Sequence, residues 1–108
     1  MSRKNIPKTL KNKVWDKYIG AEKGQGKCYC CKGFLDSKNF ECGHVTPVKK
    51  GGQNILSNLR PICSCCNKSM GTKNLEVFKE TYFPSPLSEA RNYIKKIENL
   101  IMIIDNII

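Results

Sequence analysis

Cys28-Tyr29-Cys30-Cys31, then Glu41-Cys42-Gly43-His44-Val45-Thr46-Pro47, then Cys63-Ser64-Cys65-Cys66-Asn67: two Cys-x-x-Cys pairs bracket the only histidine of the chain. Four thiols in two close pairs can close a tetrahedral zinc site and hold the segment between them as a stapled loop. Taking Cys30 or Cys65 instead would break the spacing that lets two thiolates reach one ion. Histidine is the side-chain type that exchanges protons near neutrality, the usual choice for a general base. The stretch therefore reads as a zinc-stabilised scaffold that presents a histidine.

Composition agrees with a metal staple. A chain of 108 residues is one domain with at most a short appended element, and small domains often use a metal to supplement a modest core. Seven cysteines is an odd number, and Met1 to Lys13 is polar and basic, so a secreted disulfide framework fits poorly. The expectation is a reducing, intracellular setting, cytoplasm or nucleus, with zinc bound to the thiols. The formal net charge is +10. Residues 1–73 hold 15 Lys/Arg against 4 Asp/Glu, whereas residues 74–108 hold 4 against 5. All the excess positive charge lies on the part with the histidine, and a polyanion such as DNA is the natural partner of that surface.

Ile6-Pro7-Lys8-Thr9-Leu10 opens a helix whose apolar face is Leu10, Val14, Trp15 and Tyr18, with Gly20 as its stop. Gly24-Gln25-Gly26 reads as a turn into the first cysteine pair. Phe40 to Val45 reads as a strand and Leu59-Arg60-Pro61-Ile62 as its return, separated by the turn pair Gly51-Gly52. A helix from Ser64 breaks at Gly71. Asn74 to Tyr82 offers a second, with Leu75, Phe78 and Tyr82 on one side, and Phe83-Pro84-Ser85-Pro86 is a linker.

The tail differs from all of this. Leu87, Ala90, Ile94, Ile97, Ile101, Ile104 and Ile108 alternate steps of three and four, a heptad seam widened by Tyr93, Leu100 and Ile107. Lys95, Lys96, Glu98 and Asp105 interrupt it, so it is no membrane span. The expected division is residues 1–83 as the functional domain and 84–108 as an amphipathic helix for dimerisation or packing. Homodimerisation through that helix is the favoured arrangement, and folding back on Leu10, Val14 and Tyr18 competes with it.

The ordered set Cys28-x-x-Cys31, Gly43-His44-Val45-x-Pro47, Gly51-Gly52, Asn58-Leu59-Arg60-Pro61-Ile62-Cys63-x-x-Cys66-Asn67 resembles the HNH endonucleases, the zinc-stapled branch of the ββα-metal nucleases. Leu59 to Cys63, followed by Cys66-Asn67-x-Ser69-Met70-Gly71, is most similar to the small HNH proteins of large DNA viruses and phages. The resemblance covers roughly residues 6–83 and implies an α+β fold, a small ββα-metal core with flanking N- and C-terminal helices.

It further implies a metal-dependent DNA endonuclease that leaves 5′-phosphate and 3′-hydroxyl ends. His44 matches the histidine that takes a proton from the attacking water. Asn58 matches the asparagine whose amide bonds backbone across the ββ loop. Asn67 matches the helix residue that binds the catalytic Mg²⁺ or Mn²⁺. Cys28, Cys31, Cys63 and Cys66 match the ligands of the structural zinc. Lys49, Lys50, Arg60, Lys68 and Lys73 lie around the motif and could seat DNA phosphates. One position departs from the pattern: many members carry Asp or His just before the first histidine as a second metal ligand, and here that residue is Gly43. Glu41, two residues earlier, is the remaining candidate for the divalent ion. The same departure motivates an alternative, a catalytically inactive HNH-like zinc module that only binds DNA or serves as a nucleoprotein adaptor.

Overall fold

The computed structural model describes residues 6–107, so Ile108 of the seam lies outside the described residues. Four helices and two small antiparallel sheets make an α+β fold. Helix α1 spans Lys8–Tyr18, with Pro7 as its N-cap. Its sequence is a lysine-rich amphipathic segment whose inner face is Val14 and Trp15, both buried. Trp15 stacks on Phe40 at 5.0 Å between ring centroids. Its indole N–H donates to the Lys23 carbonyl over 2.7 Å, which satisfies its polar atom inside the core.

Strands β1 (Gln25–Lys27) and β2 (Phe34–Asp36) form a hairpin with Gly26 opposite Leu35. The first cysteine pair occupies its turn. This corrects the reading of Gly24-Gln25-Gly26 as a plain turn: three residues with no apolar alternation become a strand because β2 lies beside them. Strands β3 (Glu41–His44) and β4 (Leu59–Ile62) form the second sheet, with Gly43 opposite Arg60 and His44 opposite Leu59. Two short 3₁₀ turns, Val48–Lys50 and Leu56–Asn58, lie in the connection between them.

Helix α2 (Ser64–Met70) starts at Cys63, whose thiol sulfur accepts from the Cys66 N–H. Helix α3 (Leu75–Tyr82) is capped by Asn74, whose side-chain oxygen accepts from the N–H groups of Glu76 and Val77. Leu75 and Phe78 are buried, but Tyr82 stays more than half exposed, so the expected three-residue face narrows to two. Helix α4 runs Pro86–Ile107. Pro86 is therefore its first residue rather than linker, which fits proline's tolerance for the N-terminal helical turn.

The core joins Val14, Trp15, Leu35, Phe40, Leu59, Ile62, Met70, Leu75 and Phe78 with buried cysteines. Burying each large aliphatic side chain contributes about 1.5–3 kcal/mol. None of α4 enters this core; its apolar side chains remain 44–77 % exposed. The fold-back of the tail on Leu10, Val14 and Tyr18 is thus not the arrangement found. Val14 is already fully buried beneath the rest of the body. No helix among the described residues is long and apolar enough to cross a membrane.

Candidate active site and metal centre

The two cysteine pairs converge. Tyr29 N–H donates to the Pro61 carbonyl over 2.9 Å, which ties the first pair to the end of β4 just before the second. The Sγ atoms of Cys28, Cys31, Cys63 and Cys66 all lie within 4.8 Å of one another, with Cys31 and Cys63 3.9 Å apart. A zinc–sulfur distance of about 2.3 Å in a tetrahedron requires sulfur–sulfur edges of about 3.8 Å.

Backbone N–H groups point at the sulfurs: Gly33 to Cys31 at 3.3 Å, Cys63 to Cys28 at 3.3 Å and Cys66 to Cys63 at 3.4 Å. Hydrogen bonds, first from the Cys30 thiol and then from backbone N–H groups, draw the Cys28 thiol down to about 4 against the opposing effect of burial. Burial pushes the Cys31 and Cys66 thiols up, a cost that a central dication reverses by favouring the thiolates. The cluster therefore fits a structural metal such as zinc. The other three cysteines stand outside it. Cys30 is buried and held protonated by its neighbour Cys28 and by burial; Cys42 is pushed up to about 11 by burial; and Cys65 is exposed.

His44 ends β3 and is 8 % exposed. Its Nε2 lies 2.7 Å from Oδ1 of Asn54. An amide oxygen only accepts, so Nε2 is the donor of this contact, and in the neutral ring Nδ1 is the nitrogen with the lone pair. The connection that brings Asn54 back to the ring is braced by Asn58. Asn58 Oδ1 accepts from the Thr46 N–H at 2.8 Å, and Nδ2 donates to the carbonyls of Thr46 and Gln53 at 3.1 and 3.0 Å. Gly52 closes the same loop by close approach: a Cβ there would overlap the Thr46 carbonyl oxygen, with the Pro47 oxygen 2.9 Å away.

An open cavity of about 450 Å³ lies against His44, lined also by Lys49, Asn67, Met70 and Thr72. Asn67 and Met70 sit three residues apart on α2, on one helix face. The structure thus brings His44 and Asn67 to one cavity although 22 residues separate them in sequence. Among the lining side chains, Asn67 and Thr72 carry neutral hard oxygens, the type suited to a Mg²⁺-like ion that keeps water and phosphate in its shell.

Glu41 is not among these residues; it lines a separate cavity with Asp36 and Ser64. Glu41 and His44 are three positions apart, an odd step, so strand alternation sets them on opposite faces. Gly43 is likewise a packing position. A Cβ there would run into Ile62 and lie 2.9 Å from Leu75 Cδ1, so a side chain at 43 would point into the core and not into the cavity.

Among the expected phosphate contacts, Lys49, Lys50, Lys68 and Lys73 are exposed, and Lys49 lines the His44 cavity. Arg60 is otherwise engaged. Its guanidinium lies 4.9 Å from the Tyr18 ring centre and 5.6 Å from that of Tyr29. Its Nη1 donates to the Ser57 and Leu59 carbonyls at 3.1 and 2.9 Å, so it serves the packing of α1 on β4. Asn54 is the site residue that sequence reasoning missed. A polar residue after two glycines looks like any turn residue, and only the folded loop sets it against the ring.

A family model described as HNH endonuclease matches residues 28–83, more than half of the chain. Neither a curated protein nor a solved structure matches it.

Proposed function

The chain belongs to the HNH endonuclease family, and from this we propose that it is a metal-dependent DNA endonuclease in which His44 is the general base. One observation carries the reading: a histidine with its Nε2–H committed to Asn54, facing the same cavity as Asn67. Nδ1 of His44 takes a proton from a water that attacks the phosphorus. The resulting imidazolium keeps its hydrogen bond from Nε2–H to the Asn54 oxygen, which holds the ring in place and stabilises its positive charge. As the water oxygen bonds to phosphorus, the P–O3′ bond breaks and the leaving 3′-oxygen takes a proton from solvent water, giving 5′-phosphate and 3′-hydroxyl ends.

A Mg²⁺ or Mn²⁺ ion held by the Asn67 carbonyl, with Thr72 beside it, would supply charge stabilisation at the phosphoryl and leaving oxygens. Asn58 positions the loop that carries Asn54. Lys49, Lys50, Lys68 and Lys73 seat the phosphates on either side of the scissile bond, and zinc on the four cysteines holds the fold. Residues 1–83 form the nuclease unit, and residues 84–108 pair two copies inside the cell.

A second reading, an inactive HNH-like module that binds DNA, is favoured by a specific feature: the cavity offers two neutral oxygen ligands and no carboxylate. Plasmid nicking separates the two. Cleavage that needs Mg²⁺ or Mn²⁺, stops with chelator and falls about 10²–10⁴-fold in His44→Ala, with DNA binding kept, is expected. Binding without any cleavage would leave the second reading standing, and cleavage by His44→Ala at the wild-type rate would rule out His44 as the base.

A further inference from the structure

Helix α4 carries more apolar surface than its heptad seam accounts for, and carries it asymmetrically. With Leu87, Ile94 and Ile101 at a and Ala90, Ile97 and Ile104 at d, one flanking edge (e) is Arg91, Glu98 and Asp105. The other edge (g) is Tyr93, Leu100 and Ile107. In a parallel pair each e edge lies beside the partner's g edge, which would set Glu98 and Asp105 against tyrosine and leucine. In an antiparallel pair like edges meet: the apolar g edges extend the core, and the charged e edges face each other.

We propose that two copies pair antiparallel through α4, with Leu87, Ala90 and Ile94 of each packing on Ile104, Ile101 and Ile97 of its partner. In this register Arg91 of each copy faces Glu98 of the other, giving two ion pairs per dimer. Ala90 opposite isoleucine lets the helices approach closely.

The surface this needs is uncovered: Leu87, Ile94, Ile97, Ile101 and Ile104 of the seam and Tyr93, Leu100 and Ile107 of the g edge are 44–77 % exposed. The two nuclease bodies then stand at opposite ends of a rod about 33 Å long, and their clefts do not sit side by side.

This rests on pairing through residues 84–108 and is independent of catalysis, so its test uses no cleavage. Light scattering of the full chain should give the mass of two copies. Arg91→Glu or Glu98→Arg alone should each raise the dimer dissociation constant about 10-fold, since each sets two like-charge contacts in place of two ion pairs. The double exchange, R91E with E98R, should restore it. Single exchanges without effect, or a double exchange that fails to rescue, overturn the antiparallel register. A mass of one chain overturns pairing itself, and three or four chains overturn the two-stranded arrangement. A non-cysteine spin label at Asn106, which leaves the zinc thiols untouched, gives a second reading on the wild-type seam. The two labels should be about 30 Å apart if antiparallel, and a separation under about 20 Å, as parallel helices at 8–10 Å would give, overturns the proposal.

Discussion

Helix α1 and helix α4 carry the same kind of signal, apolar residues at helical spacing, and meet opposite fates. Val14 and Trp15 of α1 are 0 % and 4 % exposed, while Ile97 and Ile101 of α4 are 44 % and 52 % exposed. The difference lies in what surrounds each helix. Long-range ties gather the body: the cysteine cluster joins residues 28–31 to residues 63–66, and β4 is a platform on which α1 packs. Among the described residues, α4 contributes to neither the cysteine cluster nor the core. Periodicity thus specifies that a face will be buried, but a partner has to be brought to it by some other interaction.

Stripping the metal that the four-cysteine cluster fits, such as zinc, should break the contrast most severely. Structural zinc contributes on the order of 10 kcal/mol or more of folding free energy in small domains. Chelation, or Cys63→Ser, should therefore unfold the body and expose the α1 face much as the α4 face is exposed now. Near-ultraviolet circular dichroism of Trp15 would report it, and a native signal after metal removal would refute the role of the cluster. Adding bulk within the body should cost less. Gly43→Asp, which looks like restoration of a metal ligand, should destabilise by about 1–3 kcal/mol or more through overpacking of Ile62 and Leu75. It should not tighten Mn²⁺ binding, which titration calorimetry would check.

Removing the Asn58 side chain deletes three hydrogen bonds that hold the connection between β3 and β4. Asn58→Ala should cost about 1–3 kcal/mol in chemical denaturation and lower cleavage together with Asn54→Ala, each by about 10–100-fold. The smallest effect is expected where the comparison says the regions are independent. Ile97→Asp with Ile101→Asp should abolish self-association yet change the unfolding free energy of the body by less than about 0.5 kcal/mol. A large loss of body stability would mean that α4 supports the fold after all.

Much of this was legible from residue types and spacing. The paired cysteines named their own metal cluster, Pro7 and Asn74 marked helix starts, and the apolar strand residues around His44 and Leu59 announced a two-stranded unit. What stayed hidden shares one cause. Glycine, arginine and asparagine take their roles from neighbours distant in the chain. Gly43 reads as a missing ligand until Leu75 of α3 is set against it. Arg60 gives no local sign that Tyr18 and Tyr29 close over its guanidinium. Asn54 carries no local signal, and only the return of the loop sets it against His44. The β1–β2 hairpin hid for the same reason, since three polar or glycine residues become a strand only when paired.

Resemblance to the HNH endonucleases implied the α+β class and the pairing of His44 with Asn67; the residues by themselves determined the four zinc-type cysteines, the lone histidine between them and an amphipathic tail. These rest on short-range chemistry: ligand spacing, capping and periodicity are properties of residues within a few positions of one another. Only the tertiary structure decided that position 43 faces the core, that Asn54 fixes which ring nitrogen of His44 holds the proton, and that α4 leaves the body with its apolar stripe uncovered. Each of those is a contact, or the lack of one, between segments separated by ten residues or more, and chain geometry over that distance is set by packing and not by any local preference.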